Sequence, residues 1–315
     1  MTEDNKCYKP EPCKDFTDFL VKADDLIKLK EEKRDIWVFK GLRSCEWELE
    51  TTLERAFKQF NIYKSDDKTR VEARMIREFK RRLHQYTADV PCDDAATDEW
   101  LALMQHYGAP TRLLDFTYSP YVAAYFAFEK AAPIYVKRKN HYEPESSYVA
   151  IWAVNVSSLN RELKKQHPAI YNNFRRYQKD RNQYFDKVFM QKEIPQLNGE
   201  SNPPKYTKPR GKFALSANPF RLNDRLAFQR GLFLCPGDIT IGFMDNLSEC
   251  IKKDNLENKV IKYTIPTGES NNITIEALKY LDLMNISRIT LFPGLEGFVQ
   301  SLATRIQPLF MLPDA

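Results

Sequence analysis

The chain has 315 residues and a formal net charge of +5, with 43% hydrophobic, 13% aromatic and 29% charged residues. This balance excludes disorder and collagen-like repeats, fits a soluble globular protein, and leaves room for one large domain or two small ones. Its longest apolar stretches, SPYVAAYFAF and YVAIWAVNV, fall well short of the roughly 20 residues of a membrane-spanning helix, so no membrane association is expected.

Residues 1–14 are polar, hold Pro10 and Pro12, and carry no apolar core of a secretion signal, so they read as a flexible tail. Phe16, Phe19, Leu20, Ala23, Leu26 and Ile27 then recur at helical spacing, with charges on the other face as far as Arg34. IWVFKG reads as a buried strand ending at Gly41. Helices follow at about 50–60 and 68–86, the second with Val71, Met75, Phe79 and Leu83 as one stripe. Residues 99–107 end a helix that Gly108 closes, because glycine takes the left-handed C-cap conformation at little cost and Pro110 blocks continuation.

LLDF is a short strand, and Ser119 with Pro120 makes a strong helix start, a capping hydroxyl followed by a ring of the required φ. SYVAIWAVNV is the clearest central strand, after which 157–192 reads as charged helix and QLNGESNPPKYTKPRGK as a long irregular loop. GLFLCP and DITIGF read as strands, followed by a helix near 247–256, the strand KVIKYTIP, a helix over 271–284 and a last helix after Pro293. The pattern is α+β, a single domain over 15–305 with a basic helical and loop insertion at 158–212 and a tail at 306–315. There is no internal repeat, no GxGxxG and no GxxxxGK.

Six cysteines without CxxC spacing and four histidines without i,i+4 pairing point to a reducing cytoplasm and to no metal. Charge is unevenly spread. Residues 158–212 hold thirteen Lys and Arg against five Asp and Glu, a net +8, which leaves −3 for the rest. Tyr171, Phe174, Tyr177, Tyr184, Phe185 and Tyr206 are interleaved with these cations, as stacking on single-stranded bases requires. Arg175, Arg176, Lys179, Lys208 and Arg210 are therefore expected to contact single-stranded RNA or DNA. The plainer alternative is a solvated helix face whose aromatics belong to the core.

Four segments carry a family resemblance: WVFKGLRSCEWELETTLERAF at 37–57, LALMQHYGAPTRLLDFTYSPYVAAYFAFE at 101–129, NDRLAFQRGLFLCPGD at 223–238 and LKYLDLMNISRITLFPGLEGF at 278–298. Together they resemble the FRG domain over roughly residues 15–305. The family's Phe-Arg-Gly triplet reads Phe39-Lys40-Gly41 here. Lysine keeps the charge but loses the planar fork that grips an anion bidentately.

The layout is in turn similar to that of ADP-ribosyltransferases, which implies a mixed sheet core with a helical N-terminal region and helical insertions. In those enzymes an aromatic-Arg-Gly strand binds NAD, a hydroxyl-bearing strand leads into an A-x-x-F-A helix, and a later strand carries an acidic residue. Phe39-Lys40-Gly41, then Thr117 and Ser119 before Ala124–Ala127, then Gln229 follow that order, with Gln229 where a glutamate is implied. The resemblance implies NAD as substrate, a nucleic-acid or protein acceptor, a toxin or antiphage effector setting, and an inhibitory protein partner.

Cleaving the nicotinamide bond leaves an oxocarbenium-like C1′, so the site must hold the pyrophosphate with cations, clamp the ring and place a base near the acceptor. Lys40 and Arg112 are the candidate cations. Thr117, Tyr118, Ser119 and Tyr121 are candidates to contact the cofactor, Phe116 is a further candidate ring, and Asp115, His106 and Gln229 are candidates for catalysis. Each has a plainer reading: Ser119 as a helix cap, His106 closing a helix, Arg112 and Asp115 as a buried ion pair, Gln229 bonding a neighbouring strand. The competing functions are a non-catalytic nucleotide- or RNA-binding module, and a metal-independent nuclease using His106, Arg112 and Asp115.

Overall fold

The computed structural model describes residues 7–33, 35–88, 97–131, 135–138, 141–144, 147–179, 188, 191–193, 205–207, 211–219, 224–251, 259–268 and 272–305. Its centre is a seven-stranded mixed sheet, and the fold is α+β. The sheet strands are β1 (Lys9–Pro12), β2 (Trp37–Leu42), β3 (Leu114–Thr117), β6 (Tyr148–Asn155), β9 (Ala214–Ala217), β10 (Gly231–Pro236) and β11 (Val260–Pro266), in the order β1-β11-β6-β2-β3-β10-β9. Only the β1–β11 pair is parallel. Two hairpins stand apart, β4 (Tyr135–Arg138) with β5 (His141–Pro144), and β7 (Gln191–Glu193) with β8 (Lys205–Thr207).

Both faces of this sheet are covered, which explains why β6 is apolar without interruption. Ala150, Trp152 and Val154 pack into one core with Ile76 of α3 (Ser65–Arg82), Leu101 of α4 (Thr97–His106), Leu159 of α6 (Val156–Gln166) and Phe174 of α7 (Pro168–Lys179). Val149, Ile151 and Ala153 point the other way, as the period-2 geometry of a strand dictates. They meet Phe19 of α1 (Phe16–Lys33), Ala123 and Ala127 of α5 (Pro120–Phe128) and Leu281 of α10 (Asn272–Leu283). The remaining helices are α2 (Thr52–Gln59), α8 (Asp224–Phe228), α9 (Phe243–Cys250), α11 (Arg288–Leu291) and α12 (Leu295–Arg305).

Three local expectations change. Within the segment read as a flexible tail, Lys9–Pro12 forms the parallel edge strand β1, with Tyr8 and Cys13 buried beside it. An edge position tolerates Pro10 and Pro12, which have no N–H to donate. DITIGF is a turn leading into α9: the Asp238 carboxylate accepts from both the backbone N–H (2.8 Å) and the hydroxyl (2.6 Å) of Thr240, closing the chain locally instead of across a ladder. Residues 191–193 and 205–207, read as helix and loop, pair as a hairpin. The expected C-terminal tail, 306–315, lies outside the described residues.

β2 and β3 share one register pair, Phe39 with Thr117, whereas β2 and β6 share six. The sheet parts beyond that pair. At the next level the ladder is replaced by a side chain: the Lys40 ammonium donates to the Asp115 carbonyl at 3.1 Å. On the other side of β2, Gly41 lets α5 come close, since a Cβ there would lie 1.9 Å from the Ala123 carbonyl oxygen.

Candidate functional site

A cavity of about 820 Å³ opens where β2 and β3 part. Lys40, His106, Asp115, Thr117 and Gln229 all line it, although they come from a strand, a helix end, a second strand and a turn. Lys40 is half-buried on its wall. Burial pushes its ammonium below the ordinary lysine range; the charge of Asp115 acts in the opposite direction, and Arg55 and Arg225 reinforce the lowering.

Asp115 is exposed to the cavity and is held by a residue the sequence reading passed over. Gln105 of α4 donates from its amide nitrogen to Asp115 Oδ1 at 2.9 Å, while its amide oxygen accepts from the Thr111 hydroxyl. The Thr111 backbone N–H and carbonyl are themselves bonded to Thr52. His106 ends α4 at the cavity rim, with Tyr107 edge-on at 5.0 Å between ring centroids. Gly108, at φ +83°, turns the chain there, and the Ala109 N–H returns to the Met104 carbonyl at 2.9 Å.

Thr117 and Gln229 are latched together: the Thr117 hydroxyl donates to the Gln229 carbonyl at 2.7 Å. The Gln229 side-chain amide donates to the Leu291 carbonyl at 3.1 Å. That bond ties the turn before β10 to α11. Neither residue offers a carboxylate; the proton-accepting groups on this side of the cavity are the Asp115 carboxylate and the His106 imidazole.

The other expected cofactor residues lie elsewhere. Arg112 is buried and grips Glu72 of α3 bidentately, Nε to Oε1 at 2.6 Å and Nη2 to Oε2. Its ion-pair partner is therefore Glu72, and Asp115 bonds Gln105 instead. This also separates Arg112 from His106 and Asp115 as a nuclease triad, because a guanidinium spent on a buried carboxylate has no fork left for a substrate. Ser119 caps α5, accepting from the Val122 N–H at 3.3 Å. Tyr121 donates to Asp24 of α1 at 2.9 Å, and Tyr118 packs against the first core. None of these four lines the cavity.

The far wall comes from α8, α11 and α12, to which the sequence reading assigned no role in the site. Arg225 and Arg288 lie over the Phe292 ring at 4.8 and 4.2 Å, and Phe126 meets Phe292 edge-on at 5.9 Å. Arg288 also pairs with Glu129 and donates to Gln300. Tyr125 donates to Glu129 at 3.0 Å, and burial, then the Glu129 charge, pushes its phenol well above the ordinary range. With Glu129 answered by Arg288, the cations Lys40, Lys130 and Arg225 share the cavity lining with the carboxylates Asp115 and Glu296. The segments at 223–238 and 278–298 that hold Arg225, Arg288 and Phe292 entered only through the family resemblance, and RITLF is too short for periodicity to say which way Arg288 and Phe292 project.

Of the expected nucleic-acid residues, Arg175, Arg176 and Lys179 are exposed on α7, but Phe174 beside them is fully buried and Tyr171 half-buried. Those two rings pack against the core and are not offered to bases. Lys208 and Arg210 lie outside the described residues, as do the side chains of Tyr177, Tyr184, Phe185 and Tyr206. Among the described residues no group of three or more His, Cys, Asp or Glu could hold a metal, and no helix is long and apolar enough to cross a membrane.

Residues 35–134 match the family model of the FRG domain, so the chain carries an FRG domain there. That span includes β2, α4, β3 and α5, and hence Lys40, His106, Asp115 and Thr117; Gln229, Arg225 and the far wall lie beyond it. No curated protein and no solved structure matches the chain.

Proposed function

We propose that the cavity between β2 and β3 takes NAD and that the chain transfers its ADP-ribose to an acceptor. The observation that carries this reading is the parting of the sheet at Phe39–Thr117 into a cavity of about 820 Å³. That is within the usual size of a small-molecule site, and it gathers cations, exposed rings and one well-positioned carboxylate. Lys40 and Arg225 would hold the pyrophosphate, and Tyr107 offers a ring to the nicotinamide.

In the transfer, the acceptor's lone pair attacks C1′ and forms the new glycosidic bond. The bond from C1′ to the nicotinamide nitrogen breaks, its electron pair leaves with neutral nicotinamide, and the acceptor's proton passes to Asp115, which Gln105 keeps in place. Gln229, bonded through its amide, shapes the wall and takes no proton. Such a transferase would act as a toxin or antiphage effector in the cytoplasm.

Nicotinamide release from NAD tests this. Wild type should release it in the presence of acceptor, and Asp115→Asn should cut the rate roughly a hundredfold or more while leaving the fold intact. Release unaffected by that change would remove Asp115 as the base. The Gln229 amide, standing where a glutamate is implied and already bonded to Leu291, favours a second reading, a binding module without turnover. Binding of ADP-ribose with no nicotinamide release under any condition would select it.

A further inference from the structure

Outside the cavity, the most regular charged feature is on α3. Its inward side buries Glu72, Ala73 and Ile76. Its outward side carries Arg70, Arg74, Arg77 and Arg81, all exposed. Their spacing of four, three and four residues confines them to an arc of about 60° and to about 16 Å of helix length. The helix's Lys68 and Lys80 are used elsewhere, Lys68 on the Thr240 carbonyl at 2.7 Å and Lys80 over the Trp100 ring at 5.1 Å. Of the carboxylates on α3, Glu72 is taken by Arg112, Glu78 lies between Arg81 and Arg82, Asp66 is exposed in the first turn four residues before Arg70, and Asp67 sits on the groove described next.

At the N-terminal end of the stripe a second cavity of about 430 Å³ lies between α3 and the chain entering it. Tyr63, Lys64, Arg70 and Arg74 line it. The Tyr63 ring is 69% exposed, its hydroxyl steadied by Asn61 at 2.9 Å. We infer that this face of α3 binds a single-stranded nucleic acid.

Three properties select that partner. The cations form a line with one residue per turn, an arrangement that can follow a phosphate backbone. The exposed Tyr63 ring in the groove can stack only on a base that is unpaired. The groove at Tyr63 is large enough for one base with Arg70 and Arg74 at its phosphate side. The inference does not depend on NAD chemistry, and it moves the expected nucleic-acid surface from α7, where Phe174 is core, to α3.

The test is fluorescence anisotropy with a labelled oligouridylate of about 20 nucleotides, without NAD, at about 50 and 200 mM salt. Four neutralised phosphates predict a salt exponent near −3 and a loss of affinity of roughly 50-fold between the two salts. The triple variant Arg70→Gln, Arg74→Gln, Arg77→Gln should lose most of that salt dependence and at least about tenfold in affinity. The variant Arg175→Gln, Arg176→Gln, Lys179→Gln should match wild type. Tyr63→Ala keeps every charge and should weaken binding about tenfold at unchanged salt exponent. Absence of binding at the lower salt, full binding by both α3-face variants, or displacement by polyglutamate as efficient as by unlabelled oligouridylate would each overturn the inference.

Discussion

At the scale of single residues, the cations the sequence presents alike do different work. Lys40 and Arg112 are both basic side chains near the parted strands, yet Lys40 faces the cavity and Arg112 holds the frame around it. The difference was illegible because Arg112's partner, Glu72, lies 40 positions away on a helix whose apolar stripe was its evident feature. A buried bidentate pair is strongly destabilising to break, since the surviving charge stays desolvated. Arg112→Ala should therefore lower stability by about 3 to 5 kcal/mol, read from chemical denaturation in the absence of any ligand. An Arg112→Ala protein with wild-type stability would put Arg112 outside the framework and return it to the list of ligand contacts.

Among the elements, β2, β3 and α5 define the site, and their existence was plain from local chemistry. IWVFKG has the apolar run of a buried strand, and Ser119 caps the helix begun by Pro120, as its acceptance from the Val122 N–H confirms. What local pattern could not supply was pairing. DITIGF alternates as a strand would, but Asp238 folds it back on itself before any neighbour can pair with it. Lys9–Pro12 has two prolines and no apolar run, yet finds the open edge of β11. The contact of β2 with α5 depends on Gly41. Gly41→Ala would drive a methyl into the Ala123 carbonyl and the Ala127 nitrogen, at 1.9 and 2.7 Å, both backbone atoms that cannot move aside. It should cost about 3 kcal/mol or more, seen as a lowered denaturation midpoint, and should impair ligand binding through displaced Lys40. Unchanged stability would mean that α5 can slide on β2.

For the whole molecule, the cavity is assembled from both ends of the chain. The near wall, from β2 to β3, lies within the matched FRG span, and Lys40, His106, Asp115 and Thr117 could be picked from it because their motifs are dense and local. Gln229 was reached only through an analogy of strand order. The far wall of Arg225, Arg288 and Phe292 owes its place to packing of α8, α11 and α12 against the open sheet, and nothing in the spacing of those residues announces it. The same holds for the α3 stripe, whose apolar side is conspicuous in the sequence while its arginines carry no motif.

Calorimetric titration with ADP-ribose, which keeps the pyrophosphate and cannot be turned over, tests the central claim that this cavity is a dinucleotide site. Wild type should bind it, and Lys40→Met and Arg225→Gln should each weaken binding by at least about tenfold, since a charge-assisted hydrogen bond is worth about 1.5 to 3 kcal/mol. The α3 variant with Arg70, Arg74 and Arg77 replaced by glutamine should bind as wild type does. No heat of binding in wild type, or wild-type affinity in both cavity variants, would contradict the account.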